Sequence, residues 1–180
     1  MTHSSLPEIS LLVIGYGNIR STDYSAGYQV AEILKRKNLK YIHALSVHQL
    51  SSRLASVIIR AKLVIFISSY SLNQDRDAEI MIKHFPPHYD QPDIGIAYPN
   101  PPHSLLSLVG DIYGSKPDAY WILIPAVNHE RHQGLSFVTC KGIQDTIEYL
   151  TGECCHFSFR RKDCQKSKNC HKTAIQTQLI

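Results

Sequence analysis

Three short apolar runs constrain the fold of this chain most, because each is unbroken rather than alternating. They are Leu11-Leu12-Val13-Ile14-Gly15 after Ser10, Leu63-Val64-Ile65-Phe66-Ile67, and Ala119-Tyr120-Trp121-Ile122-Leu123-Ile124. A strand with one wet face alternates apolar and polar residues. A strand covered on both faces reads as continuous apolar sequence, as in a parallel sheet between helix layers. Between the first two runs lie a helical pattern through Val30, Ile33 and Leu34, closed by Lys35-Arg36-Lys37, then a weaker strand over Tyr41–Val47. Leu50, Leu54, Val57 and Ile58 come next, with the spacing of an amphipathic helix. The order β-α-β-α-β predicts a three-layer αβα sandwich, a mainly parallel sheet of about five strands with helices on both faces.

Further along, Ile80 and Ile82 alternate with polar residues over 78–85, which predicts a strand exposed on one face. Residues 86–102 hold six of the nine prolines and read as loop. Helices are predicted over 103–113 and 136–150, the second enclosing Cys140 as a small buried hydrophobe. At 180 residues the chain suits one folded body, which we place at residues 1–150. The net charge of +4 comes from the rest. Residues 1–150 carry thirteen charges of each sign, whereas 151–180 hold six basic residues against Glu153 and Asp163. That basic, cysteine-rich tail is expected to be loosely ordered. Its aromatics, Phe157 and Phe159, are not interleaved with the basic residues at a clear register, so no nucleic-acid partner is expected. Cys154, Cys155, His156, Cys164, Cys170 and His171 have soft-metal ligand chemistry, but their spacing matches no zinc pattern and incidental cysteines are the plainer reading.

No apolar run approaches the ~20 residues of a membrane span. Met1 to Glu8 lack the cationic start and long apolar core of a signal peptide. The expected location is the cytoplasm. Several motifs fail on inspection. Gly15-Tyr16-Gly17 would open a dinucleotide fingerprint, but Arg20 stands at its third glycine and no acid ends the second strand. His129-Glu130-Arg131-His132 is one residue short of the zinc-protease helix, and no G-x-S-x-G is present.

A longer pattern survives. Gly15-Tyr16-Gly17-Asn18, Asp23-Tyr24 and Gly27, placed directly after a buried strand, resemble the G-x-G-N…D-[DE]-x-x-G opening of the hydrogenase maturation proteases. His48-Gln49-Leu50 with Leu54-Ala55 resembles that family's H-Q-L-x-x-x-L-A helix start, and Leu63–Ile67 its L-V-I-F-V strand. Ser104-Leu105-Leu106 with Tyr113-Gly114 and Pro117, then Ile124-Pro125 with Asn128, Glu130 and Leu135-Ser136, continue in the family's order across about residues 10–150. The chain is identified as a divergent member. The resemblance implies an endopeptidase that removes a C-terminal extension from the nickel–iron hydrogenase large subunit once nickel is inserted. That nickel belongs to the substrate protein, and no resident cofactor is implied.

The family grips nickel with an acid in the G-N loop, an Asp after the L-V-I-F-V strand and a His before the S-L-L helix. These positions fall on Tyr24, Ser68 and Tyr98 here. Carboxylate and imidazole bind divalent nickel readily, whereas neutral hydroxyls do so weakly. By family position the cleft comprises Asn18, Asp23, Tyr24, Ser68, Tyr98 and His103, with Asp23 and His103 as stand-in ligands. Three readings are open. In the first, the protein keeps the fold and binds the large subunit without cutting. In the second, it is an active endopeptidase with substituted ligands. In the third, the cleft is repurposed, rimmed by Tyr16, Tyr24, Tyr70 and Tyr98.

Overall fold

The computed structural model describes residues 8–19, 22–72, 78–87, 101–128 and 134–152. Its strands are β1 (Ile9–Tyr16), β2 (Ile42–Val47), β3 (Ala61–Ser71), β4 (Met81–Phe85) and β5 (Asp118–Ala126). Its helices are α1 (Ala26–Lys37), α2 (Ala55–Ile58), α3 (Pro101–Tyr113) and α4 (Phe137–Thr151). The five strands form one sheet in the order β2-β1-β3-β5-β4. All pairings are parallel except β4 with β5. Contacts divide the chain into two units, Met1–Ile147 and Glu148–Ile180, and the whole sheet lies in the first.

The unbroken runs are buried on both sides as their composition requires. Leu12 and Ile14 of β1, Val64 and Phe66 of β3, and Ala119, Trp121 and Leu123 of β5 share one face. They pack with Ala55 and Ile58 of α2 and Leu105, Leu106 and Val109 of α3. Leu11, Val13, Ile65, Ile67, Ile122 and Ile124 form the other face and are also buried, as are Val30, Ala31 and Leu34 of α1. Each large aliphatic side chain removed from water contributes about 1.5–3 kcal/mol. The double-sided cover of β1, β3 and β5 thus dominates the stability of the sheet.

Two local expectations are corrected. The apolar spacing from Leu50 to Ile58 yields only a 3-10 turn, Ser52–Leu54, and the single turn of α2. Its four positions exhaust the spacing before β3 begins at Ala61, and a helix this short is held by packing rather than by propensity. Cys140 lies within α4 but is exposed. It falls on the helix side away from Gly142, the residue where a Cβ would touch Ile124 and Pro125 of β5. No described helix is long and apolar enough to cross a membrane.

Candidate functional site

From β1 the chain runs through α1 to β2 on one side, and β3 lies on the other. In open α/β sheets such a reversal of strand order leaves a crevice beyond the C-terminal ends of the strands, where ligands bind. Here that rim is built from Tyr16 at the end of β1 with Gly17-Asn18 after it, the 3-10 turn Asp23–Ser25, Ser68–Ser71 of β3, and Val127-Asn128 after β5.

Glycines bring these pieces together. A Cβ on Gly15 would overlap the carbonyl oxygen of Gly27 and stand 2.7 Å from the Ala31 Cβ. One on Gly27 would overlap the carbonyl of Ile67 and stand 2.6 Å from that of Tyr16. The start of α1 therefore lies directly on the ends of β1 and β3. Gly17, at φ +155°, turns the chain where the Tyr24 carbonyl leaves no room for a side chain. The glycine spacing here serves close backbone approach between the start of α1 and the strand ends.

Asp23 is fully buried, and both of its oxygens are engaged. Oδ2 accepts from the amides of Val127 (2.9 Å) and Asn128 (2.7 Å) and from the Ser136 hydroxyl (2.7 Å). Oδ1 accepts from the Ser136 amide at 2.8 Å. Thr22 adds a bond from Oγ1 to the Asn128 carbonyl at 2.9 Å. Burial alone would raise the Asp23 pKa. The bonds from Ser136, Asn128 and Val127 outweigh it and hold the carboxyl below its ordinary value. Asp23 thus braces the β1–α1 loop to the segments flanking β5 and α4.

Ser68 is also buried. Its Oγ accepts a 3.0 Å bond from the indole N–H of Trp121. Tyr16, the last residue of β1, lies on the same sheet face beside Ser68. Burial pushes its hydroxyl up to about 12, against the smaller lowering effect of Ser68 and Trp121, so it stays protonated at neutral pH. The hydroxyl is enclosed, and no partner meets full hydrogen-bond geometry. Changing Tyr16 to Phe is therefore expected to leave stability within about 1 kcal/mol or to raise it, because an enclosed, poorly partnered hydroxyl is a cost. Urea unfolding of the two proteins checks this.

The remaining expected site residues scatter. Asn18 is exposed and Tyr24 half-buried, both on the rim. Tyr98 lies outside the described residues, as do the His129–His132 segment and the cysteine-rich tail from Glu153 onward. Tyr70 is half-buried and donates to the Glu79 carbonyl at 2.9 Å. His103, on α3, packs its ring 6.5 Å from that of Phe85, with Pro86, Lys116 and Pro117 around it. Phe85 pairs with Ala119 at the start of β5, whereas Ser68 pairs with Leu123. Four residues of strand, about 13 Å, separate those levels. The structure brings Asn18, Asp23, Tyr24 and Ser68 to one rim and leaves His103 toward the other end of the sheet.

Sequence reasoning did not find Trp121 and Ser136 as partners of Ser68 and Asp23. For Trp121 a signal existed: an indole N–H inside an apolar run must find an acceptor. Among the described residues, no group of three or more His, Cys, Asp or Glu converges to hold a metal ion. The donor chemistry agrees, since Ser68 and Tyr16 are neutral and the Asp23 oxygens are committed. Ser68 and Tyr16 thus offer the described part of the crevice neutral hydroxyls, which are weak donors to a divalent cation.

No protein-family model matches the chain, and no curated protein matches it. Solved structures do. The hydrogenase maturating endopeptidase HybD from E. coli superposes with a TM-score of 0.60 at 20% identity, over 78% of this chain and 89% of that one. The NiFe hydrogenase maturation protease HycI from Thermococcus kodakarensis gives 0.63 at 17% identity, over 79% and 90%. A hydrogenase 2 maturation peptidase from a Thaumarchaeota archaeon gives 0.58 at 17%, over 78% and 95%. The five-stranded sheet and its helix layers in this chain therefore have the fold of the solved hydrogenase maturation proteases.

Proposed function

We propose that this protein is a divergent cytoplasmic member of the hydrogenase maturation protease family, with residues 1–150 as its working body. It engages the C-terminal region of a nickel–iron hydrogenase large subunit and does not cut it. The shared fold and the ordered motifs from Gly15 to Ser136 support the family and the partner. One observation carries the absence of cleavage. Where the family has a nickel-gripping carboxylate directly after its L-V-I-F-V segment, this chain has Ser68, bound to Trp121 and flanked by a Tyr16 hydroxyl that stays protonated. Metal-assisted cleavage needs an ion held where it can polarise a carbonyl or activate water. A neutral triad of serine, tyrosine and indole gives a divalent ion little to bind. Asp23 and His103 do not make good the loss, because Asp23 is a brace and His103 lies elsewhere.

The test is incubation with nickel-loaded large-subunit precursor, with association measured by co-purification and C-terminal removal by mass spectrometry. Binding without a mass change is expected. A shortened large subunit sinks the reading. The single tryptophan, Trp121, supplies a second readout. Nickel(II) is expected to leave its fluorescence unchanged in the natural protein. In the double variant Tyr24→Glu, Ser68→Asp it should quench about half or more, since two carboxylates then stand at the crevice.

A further inference from the structure

The two edges of the sheet are built differently. β4 carries Lys83 and His84, the latter 2.7 Å from Asp118, and charge on an edge discourages the addition of another strand. β2, Ile42-His43-Ala44-Leu45-Ser46-Val47, has no Lys, Arg, Asp, Glu or Pro. The Val47 carbonyl accepts from the Gly17 amide, so Val47, and with it Leu45 and His43, turn their backbone groups toward β1. Ala44 and Ser46 therefore turn theirs outward, and no described residue lies beyond them in the sheet.

Side chains flanking this edge suit an added strand. On the α2 side, Leu45, Val47, Leu50 and Leu54 are only half-buried and form an apolar strip against the core. On the α1 side the surface is polar, with the Ser46 hydroxyl bonded to the Glu32 carboxylate. The same Gly17–Val47 bond joins the C-terminal end of β2 to the crevice rim, so a chain paired along β2 would be delivered to Tyr16-Gly17-Asn18.

We propose that β2 is the docking edge for an extended protein segment with apolar residues at alternate positions, which adds to the sheet as a sixth strand and runs into the crevice. This rests on the function proposed above, and the segment is then the C-terminal region of the large subunit. Main-chain bonds to Ala44 and Ser46 supply affinity, and the Leu45–Leu54 strip selects the side chains.

The test measures binding of nickel-loaded precursor, and of a synthetic peptide of its C-terminal region, with amide hydrogen exchange across 42–47. Slowed exchange at Ala44 and Ser46 on binding is expected. Ala44→Pro removes one outward N–H and no bond to β1, a change that edge strands tolerate. It should weaken binding about tenfold or more with the fold intact by circular dichroism. If that variant loses its fold, a peptide N-methylated at alternate residues gives the same reading on the unchanged protein, binding in one methylation register and failing in the other. Precursor binding with no protection at β2, equal in Ala44→Pro, overturns the docking edge and leaves the proposed function standing. No precursor binding at all overturns the function, and the occupant with it. Protection of Ala44 and Ser46 through concentration-dependent dimerisation, without peptide, assigns the edge to a second copy of this chain and overturns the proposal.

Discussion

Replacing Asp23 by alanine is expected to cost about 3 kcal/mol or more of unfolding free energy, since each buried donor left without its acceptor costs about 1–3 kcal/mol. The loss is large because four donors converge on one carboxylate from segments far away in sequence. Without it the amides of Val127, Asn128 and Ser136 lose their acceptor in a place water reaches poorly. Asparagine should rescue little. Its amide group presents two hydrogens where the carboxylate presented an oxygen, so donor meets donor. The acid dependence has a definite sign. The folded-state pKa of Asp23 lies below its ordinary value, so its contribution is full above the ordinary carboxylate range. It is lost as pH falls from that range through the depressed folded value. Unfolding free energy measured against pH should therefore drop less steeply on the acid side in Asp23→Asn than in the natural protein. Equal slopes would show that the brace is not ionised.

Substituting alanine at Gly27 is expected to cost about 3 kcal/mol or more, the upper range for overpacking. The new methyl group would meet the backbone carbonyls of Ile67 and Tyr16, which cannot rotate away as a side chain does. α1 would have to lift from the ends of β1 and β3, opening the crevice rim. Gly110 supplies the contrast. It lies within α3, where the nearest atom to a new Cβ is the Lys116 Cδ at 3.8 Å. There alanine should stabilise by about 0.5–1 kcal/mol by restricting the unfolded chain. Denaturant unfolding of the two variants should give shifts of opposite sign.

The layering was determined by the sequence alone. Leu11–Gly15, Leu63–Ile67 and Ala119–Ile124 are unbroken because both faces of their strands are covered, and that burial is a local property every residue in the run reports. The helical spacing that builds α1 and the glycines that admit it to the strands are likewise written locally, as are the acid and hydroxyls at 23, 24 and 68. Tertiary structure alone decided what those side chains do. Asp23 meets partners 104 to 113 residues away and Ser68 meets one 53 away. Strand order and the rotation of two loops set those distances, and no periodicity within a window records either. The shortening of α2 to one turn, the exposure of Cys140 and the place of His103 beside Phe85 have the same cause. Hydrophobic pattern states which face of a segment is covered; only the packed sheet states by what.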